Sequence, residues 1–157
     1  MNNLLHKVVT SSLLLAFLFC AVVSAGEINT GSRGSVAIKG YDPVAYFTEQ
    51  RAVMGELTIS YNWLGATWRF SNEKHKTLFT RDPVKYAPQY GGHCADGVAL
   101  GVLVTDIDPE AWRIINGKLY LNADEEAAAE LEDVEGQLEK SVVNWPKLRA
   151  NLLQKSE

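Results

Sequence analysis

The sequence predicts an α+β fold: small antiparallel hairpins packed with short helices, and a longer C-terminal amphipathic helix. Three observations carry this. Two stretches show period-two apolar alternation, one around Leu64-Gly65 and one around Asn116-Gly117. Between them lie capping and proline signals at Ser71 and Asp82-Pro83. Near the end, Leu131, Val134, Leu138, Val142 and Trp145 recur at steps of three or four, giving one apolar helix face. Hairpins followed by helices, with no regular βαβ alternation, place the chain in the α+β class.

The elements follow in order. Asp42-Pro43 is a turn signal, because proline fixes its own φ and disfavours the helical region for the residue before it. Leu57, Ile59, Tyr61 and Trp63 alternate with polar residues, as do Ala66, Trp68 and Phe70, so this segment reads as a hairpin. Ser71 is placed to cap a helix through "NEKHKTLF", and Asp82-Pro83 opens a further helical turn. The stretch "GVLVTDIDPEAW" reads as an apolar strand followed by an Asp108-Pro109 turn. "AWRIINGKLYLN" is the clearest hairpin, since Asn-Gly is the preferred pair for a two-residue turn with positive φ. Asn122, with Glu125 three residues on, reads as the cap of one last helix, which Pro146 ends or kinks. No repeat, low-complexity tract or internal linker is visible.

The N-terminus stands apart. Residues 1–25 carry one formal charge, Lys7, then an apolar run from Leu13 to Val23, then small residues at Val23-Ser24-Ala25. This is the pattern of a cleaved secretory signal, and the run is short for a stable membrane span. The expected organisation is a signal at 1–25, a small polar flexible leader at 26–35 and a single domain at 36–157. The protein is then exported, periplasmic or secreted, with no membrane span after cleavage. The whole chain has a formal net charge of -4, and loss of Lys7 makes it one unit more negative. That acidity gives no support for nucleic-acid binding, which normally shows a basic patch.

The chain holds two cysteines, and Cys20 falls inside the signal. Cys94 therefore has no partner for an intramolecular disulfide in the exported form. It lies in "GGHCADG" directly after His93. Free cysteine is among the most buried residue types, so a packed core thiol is the favoured reading. The alternative is a ligand or reactive thiol with His93 as neighbour. Tyr41, Tyr46, Tyr90 and Trp68 are candidates to line a ligand pocket, against the simpler reading that they build the core.

"GYDPVAYF", "WRFSNEKHKTLFTRDPVKYAPQYGGHCADG" and "DPEAWRIINGKLYLN" together resemble the YHS domain family, in its exported single-domain branch. Other members resemble metal-handling modules joined to heavy-metal transport ATPases, and some occur in monooxygenase subunits. Against the pattern of the metal-linked members, Asp42, Pro43, Val44, Phe70, Phe79, Asp82, Pro83 and Tyr86 match. Three cysteine positions are changed: Ala45, Ser71 and His75 stand there. Alanine offers no donor atom and serine is a poor ligand for soft ions, so the family's metal site does not carry over intact.

Three functions follow as expectations. The first choice is an exported, non-catalytic binding or interaction protein for an unidentified small ligand or protein partner. The alternative is a metal-binding accessory module using His75, His93 or Cys94, with Met54 as a further donor, for copper or zinc. The third is a thiol redox enzyme, which would lack the second cysteine of a Cys-x-x-Cys pair.

Overall fold

A computed structural model describes residues 27–31, 34–133 and 136–154; of residue 133 the backbone alone is described. The expected signal, 1–25, lies outside the described residues. Among the described residues there are six α-helices and two small antiparallel sheets of two strands each, and the fold is α+β. None of these helices is long and apolar enough to cross a membrane.

The first half opens with a tight turn, Ala37–Gly40, and a short helix α1, Ala45–Thr48. Strands β1, Glu56–Trp63, and β2, Ala66–Phe70, pair with Trp63 opposite Ala66 and Tyr61 opposite Trp68. Leu64 and Gly65 both have positive φ, as a two-residue hairpin turn requires. Helix α2, Glu73–Arg81, and the single turn α3, Pro83–Tyr86, complete this half. Asn72, not Ser71, caps α2: its Oδ1 accepts the His75 N–H at 2.9 Å. Ser71 is held by Asp42 instead, and so is unavailable as a cap.

The second half repeats this plan. A turn at Gln89–Gly92 leads to α4, Ala95–Ala99; then come β3, Asp108–Ile115, β4, Lys118–Asn122, and α5, Glu125–Asp133. β1 and β3 begin 52 residues apart, at 56 and 108. β2 and β4 begin at 66 and 118, and α2 and α5 at 73 and 125, the same offset. The agreement reaches the details. Ile38, Lys39 and Gly40 have positive φ, and so do Tyr90, Gly91 and Gly92. Tyr41 N–H bonds the Ile38 carbonyl and His93 N–H the Tyr90 carbonyl, both at 3.1 Å. Asn72 caps α2, and Asp124 caps α5 through the Ala127 N–H at 2.8 Å. Both hairpins carry an irregularity at the same place, before Ser60 and before Trp112. The expectation of no repeat therefore fails at the level of the backbone. Little beyond Gly40/Gly92, Gly65/Gly117 and Glu73/Glu125 is identical at this spacing, so the side chains hide the repeat.

The two halves share one core. Ile38, Val44, Tyr46, Trp68, Phe70 and Phe79 of the first half pack with Cys94, Ile107, Leu119 and Leu121 of the second. A second cluster, with Tyr90, Val98, Tyr120 and Leu131, is closed by Leu148 of α6, Gln137–Gln154.

Four local expectations need correction. Asp108-Pro109 starts β3 rather than a turn apart from it, and residues 102–107 form no strand. Asn122 ends β4 and is fully buried; the helix cap falls two residues later, at Asp124. The expected last helix is two, α5 and α6, with Gly136 at positive φ before the second. Val134 lies outside the described residues, and Val142 is exposed; Ser141 and Leu148 are buried on α6 instead. Pro146 lies inside α6 at an exposed position, as does Val142, the residue four earlier whose carbonyl a proline cannot pair.

The leader expected to be flexible is tied down where it is described. Glu27 and Asn29 are buried. Glu27 Oε1 lies 2.9 Å from Arg149 Nε. Asn29 N–H bonds the Gly91 carbonyl at 2.8 Å, and its Nδ2 donates to the carbonyls of Gly92 and Thr105, both at 2.9 Å. A Cβ on Gly91 would collide with the Glu27 carbonyl, so only glycine lets this strap approach.

Candidate functional site

Two buried polar centres and one cavity stand out, and the repeat relates the two centres. In the first half Asp42 sits after the Ala37–Gly40 turn, fully buried. Its Oδ1 accepts the Val44 N–H at 2.9 Å. Its Oδ2 accepts the Ser71 N–H at 2.8 Å, the Ser71 hydroxyl at 2.7 Å and His75 Nδ1–H at 2.7 Å. The carboxylate thus ties together α1, the end of β2 and α2, with every bond made inside the protein. It also fixes the His75 ring. His75 Nε2 is 3.2 Å from Thr48 Oγ1 and 3.9 Å from Glu49 Oε1.

The equivalent place in the second half belongs to Cys94. Its Sγ accepts the N–H of Gly97 at 3.4 Å and of Ala123 at 3.3 Å. Ala123 is the counterpart of Ser71, so the same backbone N–H that meets the Asp42 carboxylate here meets sulfur. Ala127 is the counterpart of His75, and no imidazole stands there. The surroundings are polar instead. Asn122 Oδ1 accepts the Asp96 N–H at 3.2 Å and lies 4.0 Å from Sγ. Gln137 Nε2 donates to Asp96 Oδ1 at 2.6 Å.

His93 turns away from this centre. Its Nδ1–H donates to the Tyr90 carbonyl at 2.8 Å, and its ring lies near Trp145. Burial pushes its pKa down, and the Tyr90 carbonyl offsets part of that. His75, His93 and Cys94 thus have separate partners. Among the described residues no group of three or more His, Cys, Asp and Glu is placed to hold a metal ion. Met54 is exposed on the surface, where its neighbours include the Tyr41 backbone.

Three of the four aromatic candidates are core side chains. Tyr46 is fully buried and its hydroxyl donates to the Pro109 carbonyl at 3.0 Å, joining the two halves. Its pKa is strongly raised by burial first and then by Glu110. Trp68 packs on Phe79 and donates to the Trp63 carbonyl at 3.1 Å. Tyr90 bonds Ser141 at 2.6 Å, fastening α6, and burial raises its pKa. Tyr41 is half-buried against the core.

The cavity lies elsewhere. It encloses about 230 Å³ and is lined by the 29–31 strap, Ile38 and Lys39, and residues 105–107. Ile38 and Ile107 form an apolar floor. Lys39 Nζ meets Asp106 Oδ1 at 2.7 Å across the lining, and this bond holds the Asp106 carboxyl below its usual range. None of Tyr41, Tyr46, Trp68 and Tyr90 lines it. Sequence reasoning missed Lys39 and Asp106, which are far apart in the chain. A local signal was absent, because the positive φ of Ile38 and Lys39 belongs to residue types that seldom adopt it.

No protein-family model matches the chain, and comparisons with curated proteins and with solved structures find no match.

Proposed function

We propose that the protein is an exported, non-catalytic binding domain of the YHS type that takes a small polar ligand in the cavity beside Lys39 and Asp106. The observation that supports it most is the composition of that cavity: an apolar floor, with one cation and one anion at its edge. Ligand sites combine apolar lining with a few placed polar groups. The backbone adds support. Ile38 and Lys39 sit at φ of 41° and 56°. Such conformations cost about 1–3 kcal/mol each for residues with side chains. The second half meets the equivalent demand with Gly91, whereas the first keeps a lysine there. The polar groups of the Asp42 centre, by contrast, are spent on holding the fold. Export is supported by Lys7, the Leu13–Val23 run and Val23-Ser24-Ala25.

Screening small charged and zwitterionic molecules by thermal shift tests this reading. A binder should raise Tm in the wild type and lose its effect in Lys39→Gly, a substitution suited to the positive φ. A shift that survives in Lys39→Gly, or a panel without any binder, counts against the cavity. Intact-mass analysis of exported material should show a chain beginning at Gly26; retention of 13–23 would contradict export by cleavage.

A metal-binding reading has one observation in its favour. Ligating histidines usually give their other ring N–H to a carboxylate, as His75 does to Asp42. That leaves Nε2 near Glu49 Oε1, two donors at most, for zinc or copper. One equivalent of tightly bound zinc or copper, lost in His75→Ala, would move this reading ahead.

A further inference from the structure

We propose that the ligand of the cavity beside Lys39 and Asp106 is a small aliphatic α-amino acid, bound as the zwitterion with its carboxylate on Lys39 and its ammonium on Asp106; this rests on the function proposed above. The repeat shows how the cavity is made. In the first half the Gly40 carbonyl accepts the Gly55 N–H at 2.9 Å, which closes that loop directly on its turn. In the second half the equivalent carbonyl, that of Gly92, accepts from Asn29 Nδ2 of the strap at 2.9 Å. The same Nδ2 also donates to the Thr105 carbonyl at 2.9 Å. The Asn29 amide therefore stands between two segments whose counterparts bond each other. Asn29 is 5% exposed and lines the cavity, so a buried polar side chain of the strap holds this space open.

The lining selects the ligand. Lys39 Nζ and Asp106 Oδ1 lie 2.7 Å apart at the edge. A ligand that uses both needs an anion and a cation equally close together, and an α-amino acid carries them on one carbon. A carboxylate without an amine would set a second anion beside Asp106. An amine without a carboxylate would set a second cation beside Lys39. Like charges at such distances repel. Asp106 is exposed and Lys39 partly so, and ion pairs of that kind contribute little. A zwitterion therefore displaces the pair's own bond at small cost.

Below the pair, the side chains of Ile38 and Ile107 offer apolar surface, which suits an aliphatic group. The cavity, about 230 Å³, is smaller than the roughly 300–1,000 Å³ of sites for drug-sized ligands, so its occupant is small.

Calorimetric titration of the purified protein with L-valine, L-leucine, glycine, isocaproate, isoamylamine and glucose tests this. Isocaproate is leucine without its amine, and isoamylamine is leucine without its carboxylate. Valine or leucine should bind at one site per chain. Glycine, lacking the aliphatic group, should bind about tenfold or more weaker. Isocaproate and isoamylamine should bind about tenfold or more weaker, since each leaves one charge of the pair unmet. Lys39→Gly and Asp106→Asn should each weaken leucine binding by about tenfold or more. Asp106→Asn should at the same time tighten isocaproate binding, a gain that a damaged fold would not give. Isocaproate, isoamylamine or glucose binding as tightly as leucine, and lost in Lys39→Gly, would overturn the amino-acid class while leaving the cavity a ligand site. Leucine binding unchanged in both variants would overturn the proposal and the cavity's role together. If neither valine nor leucine binds, the proposal fails, and the wider thermal-shift panel decides the cavity on its own.

Discussion

The half from Val36 to Tyr86 and the half from Pro88 onward follow one backbone plan and stabilise it by different chemistry. Each must join the loop after its first turn to the end of its second strand and the start of its helix. The first half does this with a carboxylate that accepts four bonds, one of them from a histidine. The second uses a thiol with two long bonds and borrows Asp96, Asn122 and Gln137. Charged groups make the stronger hydrogen bonds. The polar centre of the first half is therefore completed within that half, whereas the second half also depends on α6 to cover Tyr90, Val98 and Leu131. A shared backbone does not require shared side chains, provided each polar group it presents is met by something.

The largest expected effects test whether the halves are equivalent in their cores. Phe79 on α2 and Leu131 on α5 hold matching places and are both buried. Phe79→Ala should cost about 3–5 kcal/mol and Leu131→Ala about 2–5 kcal/mol in denaturant unfolding. A negligible loss at either would break the pairing of these helices. Smaller effects are expected at the turns. Gly65 and Gly117 have φ of 75° and 73°. Valine at either should lower stability by about 1–2 kcal/mol, and by similar amounts in the two hairpins. A loss at one alone would show that the hairpins are unlike.

The smallest effect separates the halves by pH. His93 has its pKa depressed in the folded protein. The unfolded chain then binds the extra proton first as pH falls. The contribution of His93 is fully present above its ordinary value, 6.5, and is lost as pH falls from there through the folded value. Tm of the wild type should drop over that range, and His93→Gln should flatten the drop. An identical pH dependence in the variant would contradict the buried neutral imidazole.

The hairpins were legible because their signals are local: alternation along each strand and Asn116-Gly117 or Leu64-Gly65 at the tip. The Asp82-Pro83 start of α3 was legible for the same reason, with Asp82 Oδ1 accepting the Lys85 N–H. The Asp42 centre was half legible. Asp42, Ser71 and His75 each drew notice, but their meeting is a tertiary fact across the hairpin. The cap errors at Ser71 and Asn122 share a cause. Each residue has a long-range partner that outcompetes the local role its type prefers. The repeat was not legible, because it resides in φ, hydrogen-bond pattern and element spacing, while residue types at matching positions differ in charge and size. The cavity was hidden likewise, since Lys39 and Asp106 belong to different halves.

The comparison is tested most directly by the unfolding free energies of Asp42→Ala and Cys94→Ala, measured side by side in urea. Removing Asp42 strands the Ser71 and Val44 donors and the His75 ring, and should cost about 3–5 kcal/mol. Removing the Cys94 sulfur deletes one small buried group and two weak bonds, and should cost about 1–2 kcal/mol. Equal losses at the two positions would contradict the account, because matching places in the repeat would then be held by centres of equal strength.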